Sequence, residues 1–343
     1  MNVLSIGAGA VGGAVATRLQ AADVDLTVVD TSIEHVRMLR DPGLEVGGID
    51  EGRVTMLDAV IPPSLSSQRV AEADVVLLAV RSGSTARALS KIAGDLRADA
   101  DVVSLQNGLN EDAIAELVGA ERTIGCTVGF GATWISPGRI SLDAAGDLNI
   151  GRLDGSSDER LEATKELLAK AFPTKISSNI RGEVWAKMLV NSMTVLGALG
   201  GMLTGDLLVT PERRRVVAEV VAEGVRVAAA EGVQLPNVFG LVPPALVDSP
   251  AQWRTVMHRV LVRVGEAYGA IKSVTWRDFE LGRRTEIDAV TGEIVRRGEV
   301  HGVDTPLSSA VYASLKEIEA GERLPAPANL DDVGRLLVAR VPR

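Results

Sequence analysis

Short apolar runs alternate with segments of helical periodicity over the first half of the chain. The first run, Asn2–Ile6, leads through a glycine-rich turn into Ala14, Thr17 and Leu19 at helical spacing, and a second run follows at 24–29. Further strands are predicted at 74–80, 101–105, 122–128, 148–151 and 175–178, with helices at 84–96, 110–117 and 157–172 and a hairpin within 129–147. The alternation predicts an α/β fold, a doubly wound parallel sheet of the Rossmann type.

Beyond residue 180 the pattern changes to long helical segments separated by Gly and Pro. These segments are predicted at 181–200, 211–231, 250–270, 284–301 and 307–320. A chain of 343 residues also exceeds what one hydrophobic core usually organises. We therefore predict an α/β domain over 1–179, an all-helical domain over 180–325 and a C-terminal tail over 326–343.

The turn after the first strand has the pattern G-x-G-x-x-G. Gly7 permits the tight turn, Gly9 lets the backbone approach a pyrophosphate, and Gly12 allows close packing of helix on strand. Ala10 and Val11 then present the unpaired N–H groups of the helix start to phosphate. Because a strand lies on each side of this turn, the pattern predicts a dinucleotide site rather than a glycine turn without a ligand.

Two charged residues bear on which dinucleotide is bound. Asp30 follows the second strand, where its carboxylate can accept hydrogen bonds from both adenosine ribose hydroxyls and repel a 2′-phosphate. Arg81 closes the apolar run at 74–80 and could neutralise such a phosphate. The sequence favours NAD(H) over NADP(H).

A polar stripe on the first long helix is a candidate catalytic group. Glu183, Lys187 and Asn191 recur every four residues and therefore share one face. A solvated Glu–Lys pair is the ordinary alternative. The apolar residues around Lys187, Trp185 among them, predict that the stripe is buried instead.

Two other segments have the chemistry of a binding site. Asn107 lies in the run SLQNGLN at 104–110, at the carboxyl end of a predicted strand, where a turn-forming Asn-Gly pair is the alternative. In the segment 273–288, Thr285 and Glu286 are predicted to open a helix after a basic run. Glu286 could there simply oppose the helix macrodipole.

Composition and charge exclude several other classes of protein. With 36 basic and 45 acidic residues in no long block, nucleic acid is not an expected partner, and no apolar stretch is long enough to predict a membrane span. The one cysteine, Cys126, suits a reducing compartment and is predicted to be a core residue, so we expect a cytoplasmic protein.

The histidines, His35, His258 and His301, are far apart and predict no metal site, with His35 and His301 expected at the surface.

Taken in order, these motifs resemble the ketopantoate reductase family, the 2-dehydropantoate 2-reductases. The fingerprint GAGAVGG at 7–13 is common to many families, and the combination of QNG, K-x-x-x-N and TEID is much more specific. The matching segments are GAGAVGG at 7–13, DVVLLAVR at 74–81, LQNGLN at 105–110, KMLVN at 187–191, GRRTEIDAVTGEIV at 282–295 and HGVDTP at 301–306. The resemblance covers almost the whole chain.

The resemblance implies a Rossmann domain followed by a helical substrate and dimerisation domain, and hydride transfer between NAD(P)H and the keto group of a small oxo acid. Lys187 resembles the family's catalytic lysine, which would serve as general acid or base. Asn107 resembles the active-site asparagine near nicotinamide and substrate. Asn191 and Glu286 resemble residues that bind substrate. Members commonly act as homodimers.

Three departures from the family pattern leave the substrate open. Val195 replaces a second asparagine four residues after Asn191, and Val274 replaces a substrate-binding serine, so Ser273 and Thr275 become the neighbouring candidates for substrate binding. Asp30-Thr31 replaces the basic residue that in the family commonly reads the NADP 2′-phosphate after the second strand.

Two alternative functions therefore stay open. One is an NAD-dependent dehydrogenase of the same fold that acts on a different hydroxy acid or a sugar-derived acid. The other is a catalytically silent NAD-binding regulator, against which the presence of Lys187, Asn107 and Glu286 argues.

Overall fold

An eight-stranded sheet and a four-stranded sheet organise the N-terminal unit, Met1–Arg181, in a computed structural model that describes residues 1–339. The larger sheet has the order β12-β11-β8-β7-β6-β1-β2-β5, and the smaller has the order β4-β3-β10-β9. The strands are β1 (Asn2–Ile6), β2 (Asp25–Val29), β3 (Leu44–Gly48), β4 (Arg53–Thr55), β5 (Asp58–Val60), β6 (Val75–Leu78), β7 (Asp101–Ser104), β8 (Thr123–Val128), β9 (Gly131–Ser136), β10 (Arg139–Ala144), β11 (Leu148–Arg152) and β12 (Thr174–Ile176).

Pairing in the larger sheet is parallel except between β8 and β11. Helices of this unit connect the strands, as the Rossmann prediction requires. They are α1 (Ala10–Ala21), α2 (Ile33–Arg40), α3 (Ser67–Ala71), α4 (Thr85–Leu89), α5 (Glu111–Val118) and α6 (Glu159–Ala169). The predicted helix over 84–96 is shorter than expected, because α4 ends at Leu89 and turns follow.

Helix α1 packs against strands of both sheets. Its residues from Gly12 to Thr17 are all buried, and a Cβ on Gly13 would lie 2.9 Å from the Leu44 side chain and 3.3 Å from that of Ile140, both in the smaller sheet. The helix that follows the glycine-rich turn is therefore fixed on two sides.

A buried ion pair joins two strands of the larger sheet. Arg152, at the end of β11, donates to both carboxylate oxygens of Asp101 at the start of β7, at 2.8 and 3.1 Å, and the two side chains are 4% and 3% exposed. Arg152 also donates to Asp158, whose carboxylate accepts from the Leu161 N–H and so caps α6. One guanidinium thus links β7, β11 and the start of α6.

The second unit, from Gly182 onward, contains only helices and turns among its named elements up to residue 339. Helix α9 lies at its centre and packs against α10, α12, α13 and α14. The helices are α7, which begins at the end of the first unit (Ile180–Gly200), α8 (Thr204–Leu207), α9 (Pro211–Ala230), α10 (Pro250–Tyr268), α11 (Val274–Glu280), α12 (Thr291–His301), α13 (Pro306–Glu319) and α14 (Pro327–Ala339).

The carboxylate of Glu223, in the buried part of α9, caps the start of α13. It accepts the N–H groups of Leu307 at 2.9 Å and Ser308 at 2.7 Å, and Glu223 is 4% exposed. Orphan donors at a helix start are satisfied in this way by a distant side chain.

Two expectations for this unit differ from the structure. The helix predicted over 284–301 begins only at Thr291, and the segment assigned to a tail over 326–343 contains α14, which packs against α9 and α13. Among the described residues, no helix is both long enough and apolar enough to cross a membrane.

Candidate functional site

The carboxyl ends of neighbouring parallel strands meet at one edge of the larger sheet. Ile6 is level with Val29 on one side and with Leu78 on the other, and Leu78 is level with Ser104. The segments that begin at 7, 30, 79 and 105 therefore leave the sheet side by side. This is the edge at which open α/β sheets bind ligands.

The three glycines of the turn are in different surroundings. Gly7 has φ +96°, and a Cβ on it would lie 2.8 Å from the carbonyl carbon of Ala79. A Cβ on Gly12 would clash with the Gly7 carbonyl oxygen, whereas a Cβ on Gly9 would meet nothing within 4 Å. Gly7 and Gly12 are thus required by the fold, and Gly9 leaves space that a ligand can approach.

A cavity of about 420 Å³ lies beside this turn. Gly7, Gly9, Asp30, Thr31 and Arg81 contribute to its lining, together with apolar residues such as Ile6, Val29, Leu65 and Val70. The cavity thus combines apolar walls with charged and hydroxyl side chains next to the start of α1, which is the character expected of a site for the adenosine part of a dinucleotide.

Two further cations line the same cavity, and sequence reasoning missed them. Arg87 and Lys91 are four residues apart and follow Arg81, the cation that the sequence did single out. No sequence motif marks these two residues. They could have been found only by looking for basic residues in the segments that follow the carboxyl ends of the predicted strands.

Asp30 makes backbone contacts besides lining the cavity. Its Oδ2 accepts the Ala8 N–H at 3.0 Å, and its Oδ1 accepts the Ser32 N–H at 2.9 Å. The carboxylate therefore holds the glycine-rich turn and the start of α2 together. Each carboxylate oxygen can accept a second hydrogen bond, so Asp30 can still accept one from a ribose hydroxyl.

The loop after β7 is held mainly through its backbone. The Asn107 carbonyl accepts the Ser82 hydroxyl at 2.6 Å and the Asn110 side-chain N–H at 2.7 Å. Gln106 donates its amide to the Val80 carbonyl at 2.7 Å and to the Thr85 hydroxyl at 2.8 Å. These bonds fix the loop and leave the half-buried Asn107 side chain at the sheet edge.

Glu111 follows this loop as the first residue of α5 and is 6% exposed. Its Cγ would lie 3.5 Å from a Cβ on Gly125 of β8, and its Oε1 has no hydrogen-bond partner within the described residues. Burial raises the pKa of Glu111 to about 7, and nearby backbone N–H groups only partly oppose this. Sequence reasoning did not identify this residue.

In the second unit, α7 carries the predicted stripe. Glu183, Lys187 and Asn191 are each half-buried, which is less burial than the sequence suggested. Their neighbours are deeply buried: Trp185 is 2% exposed and Met188 1%. The stripe thus borders an apolar core without being enclosed by it.

Glu286 lies on a turn that α13 holds in place. The N–H and hydroxyl of Thr285 both donate to Glu319 Oε1 at 2.8 Å, and the Tyr312 hydroxyl donates to Asp288 Oδ1 at 2.7 Å. Glu286 precedes a 3₁₀ turn at Ile287–Ala289. The sequence predicts that a helix begins at Thr285. It begins instead at Thr291, because these contacts to α13 hold the preceding segment in a turn.

The residues around Val274 have separate environments. The Ser273 hydroxyl accepts the Trp276 N–H at 3.2 Å and caps α11, and Thr275 is 8% exposed. Val274 is 57% exposed, whereas Val195, the other departure from the family pattern, is 3% exposed.

The sequence also predicts the exposure of two histidines and of the cysteine. His301 is exposed as expected, but the expectation for His35 was wrong, because His35 is fully buried between two backbone groups. Cys126 is a buried core residue, which confirms that prediction. Over the described residues, no group of three His, Cys, Asp or Glu could hold a metal ion.

Comparison with known proteins identifies the family. The model of the ketopantoate reductase PanE/ApbA family matches residues 3–155, and the model of that family's C-terminal domain matches 179–319. The chain is 30% identical over 311 residues to the 2-dehydropantoate 2-reductase of Halobacterium salinarum, covering 90% of this chain and 95% of that protein. It is 29% identical over 323 residues to that of Pyrococcus horikoshii, covering 93% and 98%.

Solved structures agree with this result. The crystal structure of a PanE/ApbA family ketopantoate reductase from Ralstonia eutropha JMP134 has a TM-score of 0.79 and 28% identity, covering 94% of this chain and 99% of that one. The protein is thus an oxidoreductase of the nicotinamide-dependent class that acts on a CH–OH or keto group. The chain belongs to the ketopantoate reductase family.

Proposed function

We propose that this protein transfers hydride between NAD(P)H and the keto group of a small oxo acid, with ketopantoate as the leading candidate. The observation that carries the proposal is the cavity beside the glycine-rich turn, where a Cβ on Gly9 would meet no atom within 4 Å. The chain belongs to the ketopantoate reductases, a family that reduces an oxo acid. The bound nicotinamide would supply the hydride.

The other roles fall to residues of the chain. The N–H groups at Gly9, Ala10 and Val11 bind phosphate at the start of α1, which presents unpaired donors and the positive end of a helix dipole. The guanidinium of Arg81, which lines the cavity, neutralises part of the negative phosphate charge of the dinucleotide. Asn107 orients the substrate carbonyl through its amide.

Lys187 holds the proton that the alkoxide takes up during reduction, and in the oxidative direction its neutral amine accepts that proton. Asn191 and Glu286 bind the substrate, Glu286 by accepting a hydrogen bond from a hydroxyl. Ser273 and Thr275 are the remaining candidates for substrate contact.

The departures at Val195 and Val274 favour a second candidate, a dehydrogenase of the same type with a different hydroxy acid or sugar-derived acid as substrate. Valine cannot hydrogen-bond, and a site that lacks one polar partner discriminates differently among polar substrates. Both candidates are tested by measuring kcat/KM for ketopantoate and other 2-oxo and 3-oxo acids, in both directions and with both cofactors. Turnover of none of them would overturn the enzymatic proposal and favour a silent regulator.

Restoring a hydroxyl at position 274 should increase selectivity for ketopantoate. We expect Val274→Ser to raise kcat/KM for ketopantoate, relative to 2-oxoisovalerate, which lacks the hydroxymethyl group, by about threefold to tenfold, the worth of one hydrogen bond. Position 274 is suitable because it is exposed, whereas Val195→Asn would place an amide in the core. Val209→Ser, at a residue that is 65% exposed, is the matched control. An equal change in both variants would contradict the assignment.

For the cofactor we propose that NAD(H) is favoured over NADP(H), because Asp30 lines the cavity and would repel a 2′-phosphate against the attraction of the cations there. Asp30→Asn should reduce the ratio of the Kd for NADPH to the Kd for NADH about tenfold, which corresponds to about 1.4 kcal/mol. Titration calorimetry at fixed salt measures both constants.

Two variants separate the charge effect from the backbone contacts of Asp30. Asp30→Ala should weaken binding of both cofactors as well, because the Ala8 N–H loses its partner. Glu34→Gln removes an exposed charge nearby and should leave the ratio unchanged. If the wild-type protein binds NADPH more tightly than NADH, the cations outweigh Asp30 and the proposal is wrong.

We further propose that the protein is a homodimer, as the family resemblance implies, and works in a reducing compartment such as the cytoplasm, which suits its single buried cysteine. Light scattering after size-exclusion chromatography tests the oligomeric state.

A further inference from the structure

His35 is a buried histidine with a backbone partner for each ring nitrogen. It lies on α2 and is 0% exposed. Its Nδ1 accepts the Gly138 N–H at 2.9 Å, and its Nε2 lies 2.9 Å from the Ala8 carbonyl oxygen. Because an N–H can only donate and a carbonyl can only accept, these partners assign the neutral ring with its proton on Nε2, donating to Ala8.

The residue that His35 contacts is the middle of the glycine-rich turn. Ala8 lies between Gly7, with φ +96°, and Gly9, which faces open space. Its N–H is held by Asp30 at 3.0 Å, and its carbonyl by His35. Both polar groups of one buried residue are therefore fixed, and each partner comes from a segment beyond β2.

The other side of the imidazole is anchored equally well. Gly138 lies in the turn between β9 and β10, and the ring of Trp134 on β9 packs edge-on against the imidazole, with centroids 4.5 Å apart and planes at 71°. The smaller sheet thus holds the ring in place. His35 thus links this sheet to the glycine-rich turn through two backbone groups.

We propose that His35 is a positioning residue that holds the Gly7–Gly9 turn, through the Ala8 carbonyl, in the form that receives the phosphates of a dinucleotide. The ligand named here rests on the proposed function. Loss of the Nε2 hydrogen bond allows the turn to sample other conformations, so cofactor binding weakens, while kcat at saturating cofactor is kept because His35 touches no reacting group.

Two substitutions separate the two hydrogen bonds. In His35→Gln the side-chain amide reaches the position of Nε2 and can still donate to Ala8, whereas in His35→Asn the shorter side chain reaches only the position of Nδ1 and can accept from Gly138 alone. His301→Gln, at an exposed histidine of the same chain, is the matched control. We expect His35→Asn to raise the Kd for NADH about tenfold, which corresponds to a loss of about 1.4 kcal/mol of binding free energy. The Kd of His35→Gln should stay near the wild-type value.

Hydrogen exchange of the peptide that covers 7–13, in the ligand-free protein, tests the turn without any cofactor. Faster exchange in His35→Asn than in His35→Gln supports the proposal. The proposal is overturned if the two variants have the same Kd for NADH and the same exchange rate. This includes the case in which both variants are weakened only in proportion to their loss of unfolding free energy. If the wild-type protein binds neither NADH nor NADPH, the proposed function fails, and the exchange measurement still decides whether His35 fixes the turn.

Discussion

Replacing Lys187 with alanine is expected to lower kcat by about 10² to 10⁴, the usual contribution of general acid–base catalysis. The Kd for NAD(H) should stay unchanged, because the proposed phosphate and ribose contacts come from Gly9 and Asp30 and their neighbours in the N-terminal unit. Lys187 is half-buried on α7, so its amine stays accessible to a substrate, whereas its chain neighbour Met188 is buried in the core. Steady-state kinetics with titration calorimetry measure both quantities.

Two further variants separate proton transfer from charge. Lys187→Arg keeps the positive charge but cannot release a proton near neutral pH, so its kcat should be almost as low as that of the alanine variant. Lys170→Ala removes an exposed lysine from the end of α6 and should have no effect. Near-normal turnover in Lys187→Ala, or full activity in Lys187→Arg, would eliminate the assigned role.

Replacing Glu111 with glutamine should stabilise the protein at alkaline pH. Burial raises the pKa of this carboxyl from 4.5 to about 7 in the folded state. The folded state therefore binds the proton more tightly than the unfolded state, and the resulting stability is present below the unfolded pKa and is lost as pH rises through 7. At about pH 8.5 we expect the free energy of unfolding of Glu111→Gln to exceed that of the wild type by about 3 kcal/mol.

Urea denaturation at about pH 6 and about pH 8.5 tests this prediction and avoids the isoelectric point that the composition implies, about 5.1. Through this group the wild type should lose about 1.4 kcal/mol of unfolding free energy between these two values, and Glu111→Gln should not. Glu116→Gln, at an exposed position of the same helix, is the control and should follow the wild type. Parallel pH dependence in wild type and Glu111→Gln would contradict the effect of burial.

Strands and helices with strong local signals were predictable from the sequence. The apolar run Asn2–Ile6 ends at a glycine, and β1 has those bounds. The strands β3, β4 and β5 were missed, because they are three to five residues long and partly exposed, so their hydrophobic pattern is weak. Within 84–96, Ile92 and Leu96 are buried as a helix would predict, but turns replace the helix around Gly94.

Residues whose role depends on distant backbone groups were not predictable. His35 meets Ala8, 27 residues away, and Gly138, 103 residues away, and neither contact leaves a periodic signal in the sequence. Glu111 follows the QNG motif that the sequence did identify, yet its burial depends on packing near Gly125 of another strand. Motifs therefore located the candidate site, and only the fold revealed which groups hold it in place.

Because α1 is confined between two sheets, its amino end has little freedom to adjust when a ligand arrives. The turn before it is equally constrained, since both polar groups of Ala8 are already bonded. The entropic cost of ordering the proposed phosphate site is therefore met during folding and does not recur on binding. A turn that is already ordered before binding loses little conformational entropy when a ligand arrives, so more of the free energy of the ligand contacts appears as affinity.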